Sequence, residues 1–167
     1  MRWERLFNEL EAQAGDLEMQ ERDALVEELR DGEWADTSWR SLIGGDVVLD
    51  VVGLGRVEGS VVLVNKQVIQ LRGEKVEQVI STDAVVAVIA AERRSDDPSV
   101  VSAALGWGHV FRALKAEGQP VRVRTVTGST VDGTVDVVGA DFVRVHEDSG
   151  RDQMLPFAAL AIVSGRT

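Results

Sequence analysis

The chain repeats itself, and the repeat limits what it can fold into more than any other feature. With the numbering shifted by 74, residues 121–145 fall on residues 47–71 without a gap. Val121 and Val123 fall on Val47 and Leu49, Val131-Asp132-Gly133-Thr134-Val135 on Val57-Glu58-Gly59-Ser60-Val61, and Phe142-Val143-Arg144-Val145 on Val68-Ile69-Gln70-Leu71. One residue is then gained, and Met154–Val163 fall on Val79–Val88. Self-similarity in apolar pattern and glycine position marks one supersecondary unit used twice. A unit of about 50 residues holds a marginal core, so the two lean on each other or on another subunit.

Within each unit short apolar runs alternate with turn residues at hairpin spacing, as strands do. Gly59 and Gly133 fall inside strand patterns, where a missing side chain lets a small sheet bend sharply. The expected fold is mainly β with α: two tandem five-stranded, strongly bent barrels, each preceded by a helix. The boundaries follow as an acidic amphipathic helix over 1–33, a first barrel over 34–91, a linker with a second helix over 92–118, and a second barrel over 119–167.

Residues 2–31 read as helix because Trp3, Leu6, Phe7, Leu10, Ala14 and Leu17 form one apolar stripe, with Asp31-Gly32 closing it. Its partner is either the barrel that follows or another protein. Trp34 and Trp39 are expected to cap the open end of the first barrel. Val47–Val52 and Val61–Val64 are apolar on both strand faces, as in strands buried on both sides, whereas the second unit places Arg122, Arg124 and Asp136 at the matching positions. The first barrel is therefore expected to be covered and the second solvated. Glu92–Pro98 is a charged linker ending in proline, and the second helix is expected over Val100–Ala116.

Charge and composition narrow the chemistry. The formal net charge is −10, and residues 1–36 carry 12 acidic against 4 basic residues. Most sequence-independent affinity for nucleic acid comes from basic residues on phosphates, so this balance opposes RNA or DNA binding outside a local basic face. The chain has no cysteine, which removes disulfides, thiolate metal ligands and thiol redox chemistry. His109 and His146 are far apart in sequence and give no metal-ligand spacing. No apolar run has the length of a signal peptide or membrane span, and a soluble cytoplasmic protein is expected. Glu147-Asp148 and Asp96-Asp97 sit in polar hairpin or linker sequence, and neither histidine is near a recognisable nucleophile or carboxylate partner. No enzyme, cofactor or metal is expected.

The second unit resembles the Sm-like fold, and especially its bacterial Hfq branch. The residues that carry the resemblance are Gly128-x-x-x-x-Gly133, the run to Asp141-Phe142-Val143, and the stretch from Gln153-Met154-Leu155 to Ala159-Leu160-Ala161-Ile162-Val163. In the first unit Leu71-Arg72-Gly73 is similar to the arginine-glycine pair of the second Sm motif. Met1–Phe7 also resembles the start of a family of actinobacterial proteins, which implies no activity. The Sm-like resemblance implies single-stranded RNA bound on rings of six or seven barrels. Its RNA-contact residues do not carry over. Where Hfq-type proteins place tyrosine, lysine and histidine, this chain has Pro156-Phe157-Ala158 and Ser81-Thr82-Asp83; where other branches place a strand asparagine, it has Ile69 and Val143. Asn65 or Gly139 occupies the usual aspartate position, and Arg72 alone matches a contact residue.

Two functional readings result. The first is a non-catalytic structural or protein-interaction module, with Val79, Ile80, Met154 and Leu155 as apolar strand edges that invite pairing within the chain or between copies, in the latter case as a ring with an even number of barrels. The second is an RNA-binding regulator with a rewired basic face, drawing on Arg72, Lys75, Arg122, Arg124, Arg144 and Arg151. In that reading Asp132, Asp136 and Asp141 of the same unit are competing partners for the arginines.

Overall fold

The alternation of apolar residues at Val47, Leu49 and Val51 produces the first strand of a sheet that then runs through most of the chain. The computed structural model describes residues 24–25, 32–92 and 103–166. The chain divides into two compact units, 1–38 and 39–167. In the first, residues 24–25 are helical, and residues 32–35 form a helical turn in which the Asp36 N–H donates to the Gly32 carbonyl at 3.2 Å. Gly32 is therefore itself helical instead of ending a helix. The remainder of the expected N-terminal helix lies outside the described residues. Trp34 and Trp39, expected as caps, are both exposed.

The second unit holds ten strands and one long helix among its described residues. The strands are β1 (Gly44–Val51), β2 (Gly55–Val64), β3 (Val68–Arg72), β4 (Glu77–Ser81) and β5 (Val85–Glu92), then β6 (Val121–Thr125), β7 (Thr130–Val138), β8 (Phe142–Glu147), β9 (Asp152–Pro156) and β10 (Leu160–Gly165). Helix α1 spans Trp107–Glu117. The order across the sheet is β5-β1-β2-β3-β4-β10-β6-β7-β8-β9, antiparallel at every ladder.

The repeat is exact in register. Val47 lies opposite Gly59 as Val121 lies opposite Gly133, and Leu49 opposite Val57 as Val123 opposite Val131. The β2–β3 ladder slips between Val61 and Leu63, and the β7–β8 ladder slips at the matching step between Val135 and Val137. Bulges of this kind bend a strand and raise its twist. Gly133 has a second reason to be glycine: a β-carbon there would overlap the His146 carbonyl.

The expectation of two barrels, each with its own helix, is overturned. β4 pairs with β10 through Ile80–Ile162, Val79–Val163 and Gln78–Ser164, so the two halves form one ten-stranded sheet. A free strand edge carries unsatisfied N–H and C=O groups beside apolar side chains, and pairing satisfies both. The helix in front of the second half is also shorter than expected. Gly106 is extended at φ −123°, ψ −172° and caps α1, so the helix begins at Trp107 and stays separate from the helical residues 103–104. Its end follows the sequence: Gly118 takes φ 65°, a left-handed conformation that glycine adopts without penalty.

Two apolar clusters pack against the sheet, and the seam interlocks them. Ala161 and Ile162 of β10 pack with Val47, Leu49, Leu71 and Ile80 of the first half. Val68 of β3 packs with Val121, Val123, Val143 and Phe111 of the second. Helix α1 lies against β7 and β8. Its Trp107 and Phe111 rings are 5.6 Å apart, and Phe111 is 6.0 Å from Phe157. The cover expected over the outer face of the first half is incomplete, because Val62 of β2 is exposed.

Asn65 ties the halves together a second time. Its Oδ1 accepts from the Gln67 and Val68 N–H groups at 2.8 and 2.9 Å, shaping the β2–β3 turn. Its Nδ2 donates to the Leu105 carbonyl at 2.6 Å, anchoring the segment that leads into α1. Buried groups left unpaired cost far more than the net value of a made bond. Asn65→Ala is expected to lower unfolding free energy by about 2–3 kcal/mol, read from urea unfolding followed by tryptophan fluorescence.

Candidate interaction edges

The sheet ends in two strands that have no partner on their outer side among the described residues, β5 and β9. β5 reads VVAVIAAE, eight residues with a single charge at the last position. Among the described residues its only ladder is with β1, and Val86 to Glu92 are all exposed, Val86, Val88 and Ile89 prominently so. Natural edge strands are usually short, charged or covered, because a long apolar edge templates pairing with another chain. β9 pairs only with β8, and Met154 stands out from it into solvent while Leu155 is buried. Of the four edge residues expected from sequence, Val79 and Ile80 lie inside the β4–β10 seam, and Met154 and Leu155 lie on the free edge strand. The residues of β5 were missed. Their signal was the uncharged run Val85–Ala91, whose partner strand the sequence alone does not reveal.

The six basic candidates sit on several turns and strands, and most of them have a carboxylate beside them. Arg72 ends β3, 3.6 Å from Glu77, and Lys75 is exposed in the β3–β4 turn. Arg122 of β6 grips Asp132 of β7 with two bonds, Nε to Oδ1 at 2.8 Å and Nη2 to Oδ2 at 3.1 Å. Arg144 of β8 donates to Asp136 Oδ2 from Nε and Nη2 at 2.9 and 2.6 Å. Arg151 lies 3.4 Å from Glu147. Arg124 is half-buried, and its Nε makes no hydrogen bond. Four of the six therefore face a carboxylate across a ladder or turn. Two of the three aspartates named as competitors, Asp132 and Asp136, are among those partners.

Two histidine roles were not legible. His146 Nδ1 lies 2.7 Å from Asp152 Oδ1 across the β8–β9 ladder, a carboxylate partner hidden from sequence by the intervening hairpin. The Gly106 N–H donates to His109 Nδ1 at 3.2 Å, so His109 helps cap its own helix. Among the described residues no group of three or more histidine, aspartate or glutamate side chains is placed to hold a metal ion. No helix among them is long and apolar enough to cross a membrane.

A groove of about 500 Å³ runs between α1 and the seam, lined by Val79, Val110, Leu114 and Val163 with Lys75 and Glu117 among its polar residues. Val68 and Gln70 of β3 and Ser164 of β10 also line it. Its walls come from both halves, so its shape depends on the seam.

The Arg122–Asp132 pair has a consequence for acid stability. The hydrogen bond from Arg122 holds the Asp132 carboxyl below its ordinary value, with the arginine's charge and that of Arg166 adding to it against partial burial. A depressed carboxylate stabilises the fold above the unfolded-state value, and that contribution disappears as pH falls through the folded-state value. Asp132→Asn is expected to flatten the loss of urea stability below about pH 4 while lowering stability at pH 7, as read from unfolding midpoints across pH. Compared with known proteins, the chain matches no family model and no curated relative.

Proposed function

We propose that this chain is a non-catalytic structural or protein-interaction module that works through the free edges of its sheet. The observation that carries the reading is β5: seven uncharged residues in a row, six of them exposed, along one of the two free ends of the sheet. An edge of this kind left bare is an aggregation hazard, so a protein that keeps it has a use for a partner there. The two halves have the same strand order and already meet edge to edge within the chain, which supports a module that joins side by side with other β units.

RNA binding draws less support. Arg72, Arg122, Arg144 and Arg151 each spend charge on a neighbouring carboxylate, and among the described residues no strand exposes a large aromatic ring on which splayed bases could stack. The test is self-association. Light scattering over a wide concentration range is expected to give a mass above that of one chain. The double variant Val86→Lys with Ile89→Lys, both at exposed positions, is expected to return it to one chain with an unchanged far-ultraviolet circular dichroism spectrum. A wild-type mass of one chain throughout removes self-assembly from the reading.

A further inference from the structure

One sheet face is treated differently in the two halves. Leu63 of β2, Gln70 of β3, Val79 of β4 and Val163 of β10 lie opposite one another in successive ladders, so they share a face. The repeat places Val137, Arg144 and Met154 at the positions of Leu63, Gln70 and Val79, again opposite one another. There the face is left to solvent: Met154 is 62% exposed, and Arg144 is held in an ion pair with Asp136. In the first half the same face forms one wall of the 500 Å³ groove, and Val110 and Leu114 of α1 form the other. A helix from the second half turns a solvated sheet face of the first into a concavity.

The groove has an apolar end and a charged end. At the β2–β3 turn, where Asn65 holds the Leu105 carbonyl at 2.6 Å, it is lined by Leu63, Val68 and Leu105. At the β3–β4 turn and the last turn of α1 it is lined by Lys75, Glu117, Gln119 and Arg166, the last with its N–H 2.9 Å from the Pro120 carbonyl. The 11 residues of α1 separate the two ends by about 16 Å. Two of the charges at the polar end are already matched. Arg166 lies 2.5 Å from Asp148, and Glu77 lies 3.6 Å from Arg72. Lys75 and Glu117 are exposed, and among the described residues neither forms an ion pair. Glu117 also stands at the carboxyl end of α1, where the helix dipole favours a cation.

We infer that the groove binds a small amphiphile with an apolar tail and a zwitterionic head of the amino-acid type. The tail lies between the seam and α1 and points toward Leu105. The ammonium faces Glu117 and the helix end, and the carboxylate faces Lys75. Gln119 and Ser164 add neutral hydrogen-bonding groups. A concavity of this volume, mostly apolar with a few polar groups to orient the ligand, is the usual make-up of a small-molecule site. A head of one sign alone would meet an attractive and a repulsive charge together, whereas a zwitterion satisfies both. No residue of β5 or β9 lines the groove, so the site is independent of the free edges.

The test is calorimetric titration of the full chain at neutral pH with α-aminodecanoic acid, kept below its micelle-forming concentration, against decanoic acid and decylamine. The zwitterion is expected to bind with a Kd of about 1 mM or tighter. It is expected to bind about threefold more tightly than either comparison and to shift the amide resonances of Val79, Val110 and Leu114. Lys75→Glu and Glu117→Lys are each expected to weaken it about threefold to fivefold, the worth of an exposed ion pair. The double variant is expected to recover most of that loss, because the head can turn over. Ala113 is exposed on α1 and lines the groove. Ala113→Trp is expected to weaken binding about tenfold by filling the tail's space, with an unchanged circular dichroism spectrum. Decanoic acid or decylamine binding as tightly as the zwitterion overturns the inference. So do resonance shifts confined to β5 and β9, binding that Ala113→Trp leaves unmoved, and absence of binding.

Discussion

The β4–β10 ladder is the interaction on which the rest of the structure depends. Three residue pairs turn two five-stranded halves into one sheet, and the side chains at that ladder cross into the opposite core. Ala161 and Ile162 complete the first core and Val68 the second. Neither half closes its own apolar cluster, which suits units too small to do so alone. Asn65 and α1 reinforce the same joint from the helical side, since the Leu105 carbonyl is held by a side chain from the β2–β3 turn.

Much of the fold was legible because it lay in spacing. The 74-residue shift, which becomes 75 for the last two strands, located every strand of the second half from the first, and even the bulges at Val62 and Asp136 correspond. The glycine at 133 was readable as a bend, and the geometry adds that nothing larger fits beside the His146 carbonyl. What spacing cannot express is which edge meets which. Val79 and Ile80 looked like an open edge because their partners, Val163 and Ile162, lie more than 80 residues away in the sequence. Pairing at that separation is a tertiary choice with no local signature, and it is why two separate barrels were expected.

The candidate site was legible only in part, for a related reason. Met154 and Leu155 could be named as an edge from their apolar character. β5 reads the same as its buried counterpart β10, so its exposure depends on a neighbour that the chain itself does not place beside it. The arginines misled in the opposite direction. Arg122 and Arg144 share strand parity and suggested a basic face, but each stands beside an aspartate on the adjoining strand, and a cross-strand pair of opposite charge is a common device of sheet surfaces.

The covalent link between the halves also sets how their contacts respond to dilution. Two strands on one chain meet at an effective concentration fixed by the connecting segment, so the inner ladder forms to the same extent however scarce the protein is. A junction between chains obeys mass action and weakens as the protein is diluted. Duplication within one polypeptide therefore takes the β4–β10 contact out of mass action. It belongs to folding, and its strength is set by the segment that joins the two halves.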